Sequence, residues 1–273
     1  MKTSTIASFQ PHSNSTHAWL PSFGIIPTAK AKAFPRPSQS QHSPLHASPW
    51  VLSRSRRSLD FIVAFSVLAV FALPMLLIAA LVRLTSPGPA LFSQERMGRG
   101  GRLFRVYKFR SMGVPRAGAN GPGLTRDGDA RITPLGKWLR KLKLDELPQF
   151  INVIRGEMSL VGPRPKLPKY EELRNMPYTP GITGAATLYF RNEEEMLRHV
   201  SRENLDAYYA RHIQPIKAQL DLEYMATATF LTDLRLLACT FLACVQPERV
   251  PSCLNTSADA YNGIRQQLFD TVH

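Results

Sequence analysis

The amino-acid sequence predicts a small α/β domain that is attached to a membrane by an apolar helix near its N-terminus. A run of 22 uncharged residues, 61–82, lies between two basic segments. From Thr85 onward the composition is that of a folded domain with helical and short extended patterns. The later apolar segment 230–245 contains Asp233 and Arg235, which favours an interfacial or core-packed helix over a second membrane span.

Residues 1–52 are expected to form a disordered basic leader. They are rich in Ser, Pro, His and Ala and contain no acidic residue, so they bury too little apolar surface to offset the entropy of ordering. The leader lacks the apolar core and cleavage site of a secretory signal. An organelle transit peptide and an over-called start site remain as alternatives. At the other end, residues 247–273 form a tail without an informative pattern.

Residues 53–84 are predicted to enter the membrane. As a straight helix the apolar run would extend roughly 33 Å, enough to cross a bilayer core of about 30 Å. Pro74 lies inside the run, where a proline kinks or breaks a helix. The segments on both sides are basic, and such flanks tend to remain cytoplasmic. A helix broken at Pro74 that returns to the same face satisfies both observations, whereas a spanning helix remains the alternative because membrane helices often tolerate proline.

The segment that follows is predicted to form a turn and a strand. Ser-Pro-Gly-Pro at 86–89 ends the helix. The sequence LFRVYKFRSM at 103–112 then alternates apolar and basic residues, as a half-buried strand does, with Lys108 and Arg110 on one face. This face is either a solvated basic surface or a phosphate-binding wall beside the membrane.

A second cluster contains an adjacent pair of carboxylates. Thr133 can cap a helix that begins at Pro134 and continues through Leu144, with one apolar and one cationic side. Asp145 and Glu146 follow directly. Carboxylates among cations can bind a divalent metal and meet a diphosphate. One of them can instead attack phosphorus and form an acyl-phosphate.

Charge and cysteine content limit the choice of partners. The chain of 273 residues has a net charge of +14, which favours nucleic acid, anionic lipid or a phosphorylated substrate. Cys239, Cys244 and Cys253 lack metal-ligand spacing and are expected to be reduced, as suits a cytoplasmic face. The acidic run Glu193–Glu195 is expected to be a solvated helix start.

Together these motifs resemble the monotopic polyprenyl-phosphate phosphoglycosyl transferases, the bacterial sugar transferase family. The resemblance extends from about residue 56 to residue 245. It is carried by RRSLD, TSPGPALFSQERMG, FRVYKFRSM, TRDGDARITPLGKWLRKLKLDELPQFINVIRGEMSLVGPRP and PGITG. Each motif alone is weak, but their order and spacing make the resemblance specific.

The resemblance implies a fold and a reaction. The fold is a small monotopic α/β catalytic domain, residues 85–246, with a re-entrant membrane helix and interfacial amphipathic helices. It would lie on the cytoplasmic face of a bacterial inner membrane. The reaction transfers a sugar-1-phosphate from a UDP-sugar to polyprenyl (undecaprenyl) phosphate and releases UMP. This is the first membrane step of exopolysaccharide, O-antigen or glycan assembly.

The resemblance also implies residue roles. Asp145 attacks the β-phosphate and carries the phosphosugar as a covalent intermediate, Glu146 assists, and the two carboxylates hold Mg²⁺. Substrate and phosphate binding is expected from Arg140, Arg164, Lys108, Arg110, Arg131 and Pro163. The point where the chain enters the membrane is marked by Arg56, Arg57, Asp60 and Pro74.

The chain departs from the family pattern at two places. Leu73 precedes Pro74 where Ser is common, and AATLYFRNEEE follows PGITG at 185–195, so the sugar is not predicted. The expected partners are the UDP-sugar, polyprenyl phosphate and the membrane, without nucleic acid, and a homo-oligomer is left open. The alternatives are a basic nucleic-acid-binding membrane protein and a catalytically idle scaffold for a polysaccharide machine.

Overall fold

The computed structural model describes residues 47–113, 129–168, 177–197, 200–201 and 204–245. Most of the predicted leader and the whole predicted tail lie outside these ranges. The helices are α1 (Arg54–Thr85), α2 (Pro134–Lys141), α3 (Gln149–Arg155), α4 (Ala185–Tyr189), α5 (Glu193–Met196), α6 (Leu205–Tyr208), α7 (Gln214–Thr227) and α8 (Phe230–Val245). The strands are β1 (Leu91–Met97), β2 (Leu103–Phe109), β3 (Ser159–Val161) and β4 (Gly181–Thr183). This mixture of helices and short strands agrees with the predicted α/β class.

Helix α1 is a single helix of 32 residues with Pro74 inside it. Ser53 caps its N-terminus, because the Ser53 hydroxyl accepts a hydrogen bond of 3.1 Å from the Arg56 amide. The predicted break at Pro74 is wrong as an interruption of secondary structure. A proline removes only one hydrogen bond from the helix, and the turns on either side keep theirs. By length and composition, α1 is apolar and long enough to cross a membrane.

The two ends of α1 pack on the domain, whereas its centre does not. Near the N-terminal end Ala64 belongs to the main core, and near the C-terminal end Val82 belongs to a second apolar cluster with Phe109 and Leu139. Residues 69–74 between these contacts are all exposed. Pro74 therefore lies in the exposed central section of α1.

The chain before α1 is folded onto the same domain. The Ser48 amide donates a hydrogen bond of 2.8 Å to the Met225 carbonyl. The Trp50 indole donates one of 2.9 Å to Asp233 and packs edge-on against Phe230. The predicted boundary of the leader at residue 52 is therefore too late, because polar and aromatic contacts fix the chain from residue 47.

Strands β1 and β2 form an antiparallel hairpin in which Leu91 pairs with Phe109 and Met97 with Leu103. The predicted half-buried strand is confirmed, since Phe104, Val106 and Phe109 of β2 are buried. The side chain of Asn152 from α3 fastens this hairpin. It accepts a hydrogen bond from the Tyr107 amide at 3.2 Å and donates one to the Arg105 carbonyl at 2.7 Å.

Helix α2 begins as predicted but ends three residues early. The Thr133 hydroxyl accepts a hydrogen bond of 2.9 Å from the Gly136 amide. The helix ends at Lys141, not at Leu144, because Lys143 adopts a left-handed conformation with φ 57°. A short 3₁₀ turn, Leu144–Glu146, then leads into α3.

Helix α8 has one buried and one exposed apolar face. Asp233, Leu236 and Cys239 are buried, whereas Leu231 and Phe241 are more than two-thirds exposed, at 71% and 74%. The buried face agrees with the expectation of an interfacial or core-packed helix in its core-packed form, and contact of the exposed face with a membrane interface stays a prediction. Cys244 is a free cysteine, as expected, and Cys253 lies outside the described residues.

Candidate active site

The carboxylate pair lies in the turn between α2 and α3. The left-handed Lys143 ends the α-helical path, and Asp145 and Glu146 lie in the 3₁₀ turn Leu144–Glu146 that follows it. Asp145 is only 6% exposed. The fully buried Pro148 then forms the N-cap of α3. The sequence therefore holds two acidic side chains inside a turn that is fixed at both ends.

Glu146 is held by two cations from separate parts of the fold. Its Oε1 atom lies 2.8 Å from the Lys108 ammonium and 2.6 Å from the Arg164 guanidinium. Burial alone would raise the pKa of Glu146, but Arg164 and Lys108 hold that pKa well below its usual range. Glu146 is therefore a carboxylate at neutral pH. Its charge in turn raises the pKa of Arg164.

Asp145 has the opposite environment. Within the part of the chain that the structure describes, its buried Oδ1 atom has no hydrogen-bond partner. Burial raises the pKa of Asp145, and the nearby Lys108 ammonium opposes this shift only in part. An unpaired, poorly solvated carboxylate oxygen is reactive, because no hydrogen bond has to be broken before it attacks an electrophile.

Three elements bring these groups together. Lys108 lies near the end of β2, which Asn152 fastens to α3. Arg164 follows β3 in a Gly-Pro-Arg-Pro turn, where the buried carbonyl of Pro163 accepts a hydrogen bond of 2.9 Å from the Gly181 amide. The Arg164 side chain remains 39% exposed. It can therefore contact Glu146 on one side and an anionic ligand on the other.

Two predicted phosphate-binding arginines have other partners. The Arg110 guanidinium donates hydrogen bonds to the Ser86 carbonyl at 2.7 Å and the Pro87 carbonyl at 2.6 Å. Arg110 directly follows the last residue of β2, and these hydrogen bonds attach the C-terminal end of α1 to that strand. Arg131 forms an ion pair of 2.6 Å with Asp129. The structure brings neither guanidinium onto the carboxylate pair by any contact that we find among the described residues.

Arg140 lies closer to the pair. It forms an ion pair with Glu194, and its positive charge lowers the pKa of Asp145. The acidic run 193–195 was expected to be a solvated helix start, and α5 begins at Glu193, with the Glu194 side chain 43% exposed. Two of these acidic residues also have ion-pair partners. Glu193 pairs with Lys217 at 2.5 Å, and Glu194 pairs with Arg140. Partners distant in sequence neutralise these charges.

The residues predicted at the membrane form a clamp on the start of α1. Arg56 is buried and contacts Asp233 at 2.9 Å and the Tyr224 hydroxyl at 3.0 Å. Asp60 accepts hydrogen bonds from the Ser159 hydroxyl at 2.7 Å and the Leu160 amide at 3.1 Å. The clamp attaches α1 to β3 and α8.

Arg57 completes this attachment from the other side of α1. Its guanidinium donates to the carbonyls of Val153 at 2.5 Å and Ile154 at 2.8 Å. These carbonyls lie at the C-terminal end of α3, where a cation is favourable.

A cavity of about 220 Å³ opens beside the carboxylate pair. Arg164 and Lys143 line its near side. Its far side is lined by residues that the sequence did not single out as site residues, namely Phe190, Arg191, Tyr209, Gln214, Lys217 and Asp221. The sequence contains no motif that indicates them, because these side chains come from separate segments of the chain.

These features define an α/β protein with a long apolar helix and a cluster of cations around two adjacent carboxylates. The chain belongs to the bacterial sugar transferase family, whose model matches residues 51–247. This match includes the anchor helix, the carboxylate pair and the cavity.

Several curated proteins resemble this chain. A UDP-N-acetylgalactosamine-undecaprenyl-phosphate N-acetylgalactosaminephosphotransferase from Aeromonas hydrophila is 44% identical over 140 residues, which are 48% of this chain and 33% of that protein. A UDP-glucose:undecaprenyl-phosphate glucose-1-phosphate transferase from Caulobacter vibrioides is 36% identical over 213 residues, 74% of this chain and 70% of that protein. An undecaprenyl-phosphate glucose phosphotransferase from Komagataeibacter xylinus is 34% identical over 197 residues, and the match covers 68% of this chain and 35% of that protein. The chain thus spans about a third of two of these relatives.

Proposed function

We propose that this chain transfers a sugar-1-phosphate from a UDP-sugar to polyprenyl phosphate and releases UMP. Membership of the bacterial sugar transferase family and the names of the relatives support this class of reaction. The observation that carries the mechanism is the buried Oδ1 atom of Asp145, which has no hydrogen-bond partner among the described residues. It lies next in the chain to Glu146, which Lys108 and Arg164 hold by ion pairs.

The reaction takes place in two balanced steps. First, the Asp145 carboxylate attacks the β-phosphorus, an acyl-phosphate bond forms, and the bond to the bridging oxygen breaks so that UMP leaves with the electron pair. Second, a phosphate oxygen of the polyprenyl phosphate attacks the same phosphorus and displaces the Asp145 carboxylate. One phosphoanhydride is thereby exchanged for another, so catalysis consists mainly of positioning and charge neutralisation.

The cations have separate roles. The exposed part of Arg164 faces the cavity and binds the donor diphosphate, while Glu146 fixes its orientation through the 2.6 Å ion pair. Lys108 bonds the same Oε1 atom of Glu146 and stabilises the Asp145 carboxylate through its charge. Arg140 adds positive charge near Asp145. Glu146 therefore acts through these cations rather than as the nucleophile.

The site fits a Mg²⁺ ion that would be coordinated jointly by protein carboxylates and the donor diphosphate. Among the described residues no three metal-binding side chains lie together, and Mg²⁺ commonly binds one or two carboxylates together with substrate phosphates. The carboxylates of Asp145 and Glu146 would hold the ion together with the diphosphate. When bound, Mg²⁺ neutralises charge on the phosphates.

The anchor helix is proposed to be re-entrant. Ser48 and Trp50 before α1 contact α7 and α8. Arg110 of the same domain donates hydrogen bonds to the carbonyls of Val82 in the last turn of α1 and of Ser86, its C-cap. A helix that crossed the bilayer would separate these two ends. Exposed apolar side chains outside α1, among them Trp138 and Phe241 at 64% and 74%, support a domain that lies on the membrane. We assign this face to the cytoplasmic side of a bacterial inner membrane.

UMP release tests the function directly. The full chain in lipid nanodiscs is incubated with Mg²⁺, polyprenyl phosphate and each of a panel of UDP-sugars. We expect one or more donors to release UMP, and Asp145→Asn to lower the rate at least about 10³-fold because the nucleophile is lost. Glu95→Gln, an exposed change on β1 (side chain 59% exposed), serves as the control. Near-normal turnover by Asp145→Asn would contradict the mechanism, and salt-sensitive DNA binding without UMP release would contradict the function.

A further inference from the structure

The cavity beside the carboxylate pair contains an unusual buried ion pair. Lys217 is only 7% exposed. Its ammonium lies 2.5 Å from Glu193 Oε2 and 3.3 Å from the Tyr209 hydroxyl. The same ammonium lies 5.2 Å from the centre of the Phe190 ring and 5.2 Å from that of Tyr209. Burying an ammonium costs solvation energy, which its carboxylate and ring partners offset only in part. Such a group suggests a function beyond packing.

The backbone is irregular at the same place. Residues Tyr209–Ile213 form a π-helical turn, and Gln214 follows it. Such turns are rare and often occur at functional sites. The buried Oε1 atom of Gln214, which lines the cavity, has no hydrogen-bond partner among the described residues. The cavity wall therefore offers an acceptor that no group of the described structure satisfies.

We propose that this cavity binds the hexose ring of the donor, and that Glu193, Lys217 and Gln214 recognise its hydroxyl or acetamido groups. The proposal rests on the proposed function and assigns the choice of sugar to named residues. The names of the relatives contain different sugars, N-acetylgalactosamine in one and glucose in another. Arg164 and Glu146 would meet the diphosphate of every donor and so cannot distinguish these sugars. The sugar must therefore be recognised by other groups.

The chemistry of the lining favours a hexose over the nucleotide. A sugar hydroxyl both donates and accepts hydrogen bonds, so it can contact the carboxylate and the ammonium of one ion pair. The Lys166–Asp221 pair, 3.3 Å apart, adds a second such wall. The volume of about 220 Å³ is below the roughly 300 Å³ at which pockets for larger ligands begin. It therefore suits one ring rather than a whole nucleotide sugar.

The position of Arg164 fixes the direction of the ring. Arg164 lines this cavity and also pairs with Glu146. A hexose in the cavity would thus place its anomeric phosphate toward Arg164 and the carboxylate pair, and its remaining hydroxyl groups toward Glu193 and Lys217. This direction is the one that the transfer reaction needs.

The test is a ratio of specificities. For the full chain in nanodiscs, kcat/KM is measured by UMP release with the preferred UDP-hexose and with the UDP-hexose that differs from it in configuration at one ring carbon. The preference is the ratio of the two kcat/KM values. We expect Glu193→Gln and Lys217→Met to lower this preference about 10-fold or more, because a buried polar group loses its matching hydroxyl. Gln214→Met serves as a third variant, since the Oε1 atom that it removes has no internal partner to lose. Glu95→Gln is the matched surface control.

The readouts separate the interpretations. A changed preference together with unchanged inhibition by UMP supports hexose recognition. An equal loss of kcat/KM for both epimers in all three variants would overturn it, because that is the effect of a structural role. Weaker inhibition by UMP would also overturn it, because the cavity would then bind the nucleotide. If the wild-type chain releases UMP and every variant keeps its preference, the hexose assignment fails while the proposed function stands; if it releases UMP from no UDP-sugar, the proposed function itself fails.

Discussion

Two neighbouring carboxylates in this protein have opposite electrostatic environments. Arg164 and Lys108 outweigh the burial of Glu146 and keep its pKa low. Asp145 is buried with an unpartnered oxygen, and its pKa is raised. Adjacent groups whose pKa values are pushed apart are suited to different roles. This difference fits the proposed roles, in which Glu146 orients the cations and Asp145 is the nucleophile.

This difference predicts a trade-off between activity and stability at Asp145. Asp145→Asn removes the cost of burying a charge, so at neutral pH we expect the variant to be more stable by about 0.5–2 kcal/mol while turnover is lost. A thermal unfolding experiment in detergent would show the gain as a rise in Tm.

The pH dependence provides the check on that prediction. The pKa of Asp145 in the folded chain lies above its ordinary value of 3.8. Wild-type stability therefore falls, relative to the Asn variant, as pH rises from 3.8 through the raised pKa, because the folded state must release a proton that it holds more tightly than the unfolded state. Below both values the two proteins should unfold alike. If Asp145→Asn were less stable than wild type at neutral pH, burial of the Asp145 charge would not be destabilising, which would contradict the prediction.

The sequence was a good guide to individual residues only where they lie in contiguous motifs. Asp145, Glu146 and Arg164 were expected together, and the structure brings them together with Lys108 from β2. Glu193 and Lys217 were not expected as a pair, because 24 residues separate them and a single sequence carries no sign of which helices meet. Arg110 was assigned to phosphate from its basic strand face, but hydrogen bonds to the end of α1 take its guanidinium.

At the scale of elements, the site depends on how closely α2 approaches the segment that follows β2. The backbone of Gly136 lies against Ser111, so that a Cβ at Gly136 would be 2.0 Å from the Ser111 carbonyl oxygen. The left-handed Lys143 then directs the chain into the carboxylate turn. The sequence predicted the start of α2 through Thr133 and Pro134. It could not predict the end, because a lysine in the left-handed region is set by tertiary contacts rather than by propensity.

Gly136→Ala tests this dependence. The added methyl group forces α2 away from Ser111, and we expect a loss of about 1–3 kcal/mol in stability. We also expect kcat to fall more than KM rises, because the carboxylate turn is displaced from its working geometry. Gly113→Ala is the control, since its Cβ would meet nothing closer than 3.9 Å. Equal behaviour of the two variants in unfolding and UMP-release assays would show that the close approach does not position the site.

At the scale of the whole molecule, α1 attaches to the domain through both of its ends. The clamp of Arg56, Arg57 and Asp60 fixes its start, and Arg110 fixes its end. The sequence identified an apolar anchor with Pro74 inside it, but not these partners, which lie about 100 or more residues away for Asp60 and Arg56.

Labelling would test the proposed topology. Single cysteines are introduced as Leu52→Cys before α1 and Arg99→Cys in the β1–β2 turn, and the parent chain serves as the control for its own cysteines. We expect a membrane-impermeant maleimide to label the two new positions from the same face of oriented vesicles. Labelling from opposite faces would contradict re-entry and require a spanning helix.

The most direct test of the central claim is mass spectrometry of the chain after incubation with its UDP-sugar and Mg²⁺ in the absence of acceptor. We predict an added hexose-phosphate mass on the peptide that contains Asp145, which disappears when polyprenyl phosphate is added and is never found in Asp145→Asn. An active protein that carries no such adduct, or carries it on another residue, would contradict the account.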